Sequence, residues 1–181
     1  MSRRSAIRYT YQDYLSTPED TSRRYEIVDG ELFVTASPRA RHQLVVTMLA
    51  RVLGALADDH ALGAVFVGPI GVRLHDELVV EPDLIFVTAD RLDIVDLDGG
   101  VDGPPDLVVE VLSPSNKAYD RTLKRKQYLE NGVPELWIVD ADQRTIEIWR
   151  PGAAEGEVVR DVLEWSVGGR RLEISLAKVF S

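Results

Sequence analysis

The sequence predicts an α/β domain in which a long helix packs on a sheet, and three stretches carry that prediction. The first is Asp29-Gly30 within the alternating run Arg24 to Val34, the dipeptide that best supplies the positive φ angles of a two-residue hairpin. The second is Arg41 to Leu56, where Leu44, Val45, Met48, Leu49, Val52, Leu53 and Leu56 recur at helical spacing. The third is Asp106-Leu107-Val108-Val109-Glu110-Val111-Leu112-Ser113-Pro114-Ser115, a short apolar run with an acid in its middle and a turn signal at its end.

Taken in order, residues 9–20 place Tyr9, Tyr11, Tyr14 and Leu15 ahead of a Ser-Thr-Pro break and read as one short helix or turn. The hairpin follows, and then Ser37-Pro38, a helix-start signal, opens the long helix. Gly63 to Leu74 is β-branched and punctuated by glycine, so it reads as a strand bent near Gly68-Pro69 that continues into a paired strand. Leu78 to Val87 reads as the next strand. Arg91 to Pro105 is acidic and ends in Gly and Pro, which predicts a surface loop with a helical turn near Arg91. After the strand at 106–112 a helix is expected from Ala118 to Asn131, stopped by Gly132. Pro134 to Asp140 and Thr145 to Arg150 are two strands joined by a turn, Gly152 to Gly156 is a loop, and Arg171 to Leu176 is a last strand. No internal repeat or linker divides residues 1–181, so one domain is expected.

Composition excludes several classes of function. The absence of cysteine removes disulfide scaffolds, thiol catalysis and cysteine-based zinc sites. A positive start with no apolar run behind it, and no stretch of 18 apolar residues, leads us to expect a soluble, cytoplasmic protein with no membrane contact. The net charge of -9 argues against a broad basic surface for nucleic acid, although carboxylates gathered for a metal ion also count as negative.

Two acids stand where strands otherwise want apolar residues, Asp83 and Glu110. An unpaired charge at such a position costs several kcal/mol, so either a metal ion or a salt bridge to Arg or Lys has to neutralise Glu110. Two carboxylates on neighbouring strands are the minimum protein contribution to a Mg²⁺ site. Asp106 competes with Asp83 for the first role, but it lies four residues before Glu110 on one strand, ~13 Å away at the usual rise. It is therefore read as a residue that starts the strand. On the following helix Lys124 shares a face with Asp120 and Tyr128, whereas Lys126 faces the other way. His42 and Gln43, at the start of the long helix, are candidates to contact substrate; His60 and His75 lie in acidic, loop-like surroundings. No Ser/His/Asp triad, phosphate-binding glycine loop or zinc spacing occurs.

Together, Tyr25 to Leu32, Ser37-Pro38 through His42, Pro82-Asp83, Pro105 to Ser115, Asp120-Arg121 with Lys124 and Tyr128, and Gly132 to Asp140 resemble a bacterial family of restriction endonucleases, a branch of the PD-(D/E)XK nuclease superfamily. The resemblance runs in order along nearly the whole chain. It implies a restriction-endonuclease-like α/β core, a central mixed β-sheet flanked by helices with an N-terminal β-hairpin, and Mg²⁺- or Mn²⁺-dependent hydrolysis of DNA phosphodiesters. Carried over, Asp83 and Glu110 would bind the metal and Lys124 would supply the catalytic amine. Two departures stand out. The superfamily motif places Lys two residues after the acid, where this chain has Leu112, and the glutamate frequent in the superfamily's first helix is absent, leaving His42 and Gln43 as the nearest polar residues. The competing expectation is a non-catalytic nucleic-acid or protein-binding module on the same fold. The Trp-bearing strands 136–139 and 146–149 also suggest a homodimer.

Overall fold

The computed structural model describes residues 7–18, 23–36, 38–113 and 120–181, with the side chains of Asp120 and Arg121 excepted. Ser37, Pro114-Ser115 and the expected helix start at Ala118 lie outside the described residues.

The hairpin forms as its sequence predicts. Strands β1 (Arg23–Val28) and β2 (Glu31–Ala36) pair antiparallel with Val28 opposite Glu31. Asp29 and Gly30 take φ of 52° and 72°, the left-handed pair that such a turn requires. Before it, α1 (Tyr11–Leu15) is capped by Thr10 and Asp13 in a reciprocal box. After it, α2 (Ala40–His60) runs four residues beyond the expected apolar stripe and ends at Ala61 in the left-handed conformation.

Gly63 to Leu74, expected as a bent strand continuing into a paired one, and Leu78 to Val87, expected as one strand, both differ from the sequence reading. Gly63–Val67 (β3) and Val72–His75 (β4) do not pair with each other, and Leu78–Val80 (β5) and Leu84–Thr88 (β6) are separate strands in separate sheets. Between Gly63 and Thr88 the chain crosses between sheets twice, at Gly68-Pro69 and at Glu81-Pro82-Asp83. Proline cannot donate to a ladder, which ends pairing at the second crossing. Gly68 is needed at the first, because a Cβ there would sit 2.2 Å from the Pro82 carbonyl oxygen. The two crossings therefore pack on each other, and Gly68 N–H donates to the Asp83 carbonyl at 2.9 Å.

The remaining strands are β7 (Val101–Asp102), β8 (Leu107–Val111), β9 (Leu136–Asp140), β10 (Thr145–Trp149), β11 (Glu157–Val159), β12 (Val162–Val167) and β13 (Arg170–Ser175). The acidic loop does carry one 3-10 turn, Ala89–Ile94, but also β7, which was not expected; nor were β11 and β12, whose exposed faces hide the alternation. Six strands form the central sheet in the order β11-β10-β9-β8-β6-β3, with β8 and β9 parallel and the other neighbours antiparallel, so the sheet is mixed. A second sheet, β2-β1-β5-β4-β7, covers part of one face together with α3 (Arg125–Glu130). The other face is covered by α2, the β12–β13 hairpin and α4 (Leu176–Val179).

Strand alternation divides the core accordingly. Val109 and Val111 face α2 beside Leu49, Leu53 and Trp165, whereas Val108 and Leu112 face the second sheet beside Ile85, Val87 and Tyr128. Both edges of β9 and of β10 are already paired, and Trp137 and Trp149 are buried, so these strands offer no free edge to a second copy. Among the described residues, no helix is long and apolar enough to cross a membrane.

Candidate active site

Asp83 and Glu110 meet because of register. Leu84 of β6 pairs with Val109 of β8 in an antiparallel ladder, so Asp83, one residue earlier, comes to lie opposite Glu110, one residue later. Alternation then turns both side chains toward the second sheet, the face that also carries Ile85 and Val108. The two acids, 27 positions apart in sequence, thus share one cleft.

Asp83 is 2% exposed and its carboxylate is held from three sides. Arg24 donates to Oδ1 at 2.6 Å, while His42 Nε2 and the Val111 N–H approach Oδ2 at 3.0 and 2.8 Å. Burial pushes this carboxyl up, but the hydrogen bond from His42, the Arg24 charge and the Val111 N–H outweigh it and hold the group below its ordinary range. A carboxylate whose folded pKa is depressed adds stability that is complete above its unfolded value of ~3.9 and is lost as pH falls through the folded value. The stability gap between wild type and Asp83→Asn should therefore be widest near neutral pH and shrink below about pH 4 in urea unfolding. Parallel curves across that range would show that the Asp83 charge is not a net stabiliser.

Glu110 is 4% exposed and its Oε1 receives two donors, Lys124 Nζ and Tyr128 OH, each at 2.6 Å. Lys124 is itself 3% exposed and also contacts Glu26 Oε1 at 2.8 Å. Glu26, on β1, takes a further hydrogen bond from the Glu81 N–H at 2.8 Å. Glu81 accepts from Tyr14 OH at 2.9 Å, and burial lifts its carboxyl above the usual range. Tyr14 comes from α1, which is what the N-terminal aromatics contribute here.

Arg24, Glu26, His42, Glu81, Asp83, Glu110 and Lys124 line a cleft of about 40 Å³ together with Thr35, Ala36, Pro38, Val111 and Ser113. That volume exceeds what one water needs. Four carboxylates, Glu26, Glu81, Asp83 and Glu110, face two permanent cations, Arg24 and Lys124. The buried negative excess and the hard oxygen donors suit Mg²⁺ or Mn²⁺. Among the described residues no three His, Asp or Glu side chains form a ready-made cage, so an ion here would draw on few protein oxygens and keep waters, as Mg²⁺ commonly does.

Of the residues singled out from sequence, Asp83, Glu110, Lys124 and His42 converge on this cleft. Gln43 does not: it is exposed and lies outside the lining, because one residue along a helix turns its side chain by 100° from His42. Asp106 binds the Thr88 N–H and Arg91 at the start of β8, away from the cleft. Lys126 is exposed and lies 3.9 Å from Glu130. His60 ends α2, and His75 accepts from the Glu77 N–H. Sequence reasoning missed Arg24, Glu26 and Glu81. The available signal was alternation in β1, which puts Arg24 and Glu26 on the same side as the core residue Val28.

Comparison with known proteins finds one family whose description is "Uma2: Putative restriction endonuclease", matched over residues 11–176. Among solved structures, one described as a "putative nuclease belonging to DUF820 from Anabaena variabilis ATCC 29413" superposes with a TM-score of 0.78 at 20% identity, covering 94% of this chain and 97% of that one. The likeness extends over both sheets and shows a shared fold. No curated protein matches the chain.

Proposed function

This chain belongs to the Uma2 family, and from that premise we propose that it is a metal-dependent endonuclease acting on DNA. One observation carries the reading: a buried surplus of carboxylates, with Asp83 and Glu110 opposed across two strands and Lys124 inside the same cleft.

Asp83 and Glu110 would hold the ion. When bound, Mg²⁺ or Mn²⁺ would polarise the scissile phosphate and lower the pKa of an attacking water. The protein's own groups do the rest. Arg24, His42 and the Val111 N–H fix the Asp83 carboxylate so that its orientation need not be set during the reaction. Lys124 ion-pairs with Glu110 from the helical segment after β8 while Leu112 faces the core, so Lys124 would take the role of the superfamily's motif lysine. That ammonium would stabilise negative charge developing on the phosphoryl oxygens. Burial of Asp83, Glu110 and Lys124 in the small cleft limits screening of these interactions by bulk water.

A non-catalytic binding module is the second reading, favoured by the net charge of -9 and by the way Arg24 and Lys124 already neutralise their carboxylate partners. Incubation of supercoiled plasmid with Mg²⁺ or Mn²⁺, beside an EDTA control and a labelled RNA of equal length, decides between them. Metal-dependent nicking of the plasmid with the RNA intact supports the DNA endonuclease. RNA cleavage alone would reassign the substrate, and inertness across metals and salt would favour the binding module.

A further inference from the structure

Tyr128 is a buried group beside the cleft to which the mechanism above gives no task. It is 1% exposed, and its ring is embedded in the second core with Val108, Leu112, Val133 and Leu136. Only its hydroxyl reaches the site, where it donates to Glu110 Oε1 at 2.6 Å.

The local backbone explains how Tyr128 and Lys124 arrive together. Residues Asp120–Lys124 form a π-helical turn that passes into α3 at Arg125. Wider π turns inside helices recur at functional sites, because the extra residue resets which side chains share a face. Lys124 stands at the junction, with Tyr128 four residues on, and the ammonium lies 5.9 Å from the centroid of the Tyr128 ring. Both side chains end on the same carboxylate oxygen. Two donors on one oxygen define the plane of the Glu110 carboxylate, which a lone lysine on a flexible stem would not.

Resting on the metal-dependent reading above, we propose that Tyr128 is a positioning residue that orients Glu110 for the metal ion. Groups that hydrogen-bond a metal-ligating carboxylate typically contribute 10–100-fold to metal affinity or activity. A tyrosine that merely satisfies its own buried hydroxyl would contribute to folding alone.

The test is Mn²⁺ affinity, measured by calorimetry on the metal-free protein, for wild type, Tyr128→Phe, and a variant with p-aminophenylalanine at position 128 that restores a donor. Each protein is first shown by its thermal melt to unfold cooperatively. The expected result is affinity weaker by about 10–100-fold in Tyr128→Phe, recovered in large part by the amino analogue. Equal affinity in wild type and Tyr128→Phe overturns the proposal, as does an equal loss in both variants, which would mean that the site tolerates no change there whatever its donor. A wild-type protein that binds no Mn²⁺ and cleaves nothing is a distinct result: it removes the metal-dependent reading itself, and this inference with it.

Discussion

Glu110→Gln is expected to abolish metal-dependent cleavage, lowering the rate by about 10²–10³-fold or more, the range seen when one preorganised charge-stabilising group is lost. The amide keeps the size of the carboxylate, so packing against Val108, Leu112 and Tyr128 is retained, and it still offers Lys124 an acceptor. Only the charge is removed. Asp83→Asn should do the same to cleavage, but with a larger effect on folding. Arg24 and His42 both depend on that carboxylate, and removing one partner of a buried ion pair costs about 3–5 kcal/mol. Plasmid nicking rates and urea midpoints on the same preparations separate the two effects. If Glu110→Gln nicks DNA at the wild-type rate, the carboxylate is a structural partner of Lys124 and the proposed chemistry lies elsewhere.

How much of this was legible in the sequence depended on how local the signal was. Asp29-Gly30, the stripe from Leu44 to Leu56 and the apolar run around Glu110 each encode an element within a dozen residues, and each forms as read. Leu78 to Val87 misled because its apolar residues are continuous across Glu81-Pro82-Asp83 while the backbone changes sheets there. That break determines the site geometry, since it leaves Asp83 at the head of β6 rather than in mid-strand. Glu26 and Arg24 were invisible for a different reason. Their partners, Lys124 and Asp83, are about a hundred and about sixty residues away in the chain, and only the pairing of β1 with β5 brings the hairpin over the cleft. The position of Lys124 was readable from its face with Tyr128, but the π turn that precedes it was not.

Lys124→Met should have two effects of opposite sign. In the absence of metal, the ammonium is the cation lying between Glu26 and Glu110, 2.8 and 2.6 Å from their oxygens. Removing it leaves two buried carboxylates facing each other, a loss of about 3–5 kcal/mol in metal-free stability. The same vacancy of charge makes the cleft more negative, so a divalent ion meets less competition and Mn²⁺ should bind more tightly than to wild type. Stability lost in EDTA should then be recovered as metal is added, by an amount that grows with the logarithm of its concentration. Cleavage should nevertheless fall by about 10²-fold or more if, as proposed, this ammonium stabilises the phosphoryl oxygens in the reaction. Thermal melts in EDTA and in Mn²⁺, set beside nicking rates, test all three outcomes together. Weaker Mn²⁺ binding would show that Lys124 helps to hold the site open for the ion rather than standing in its place.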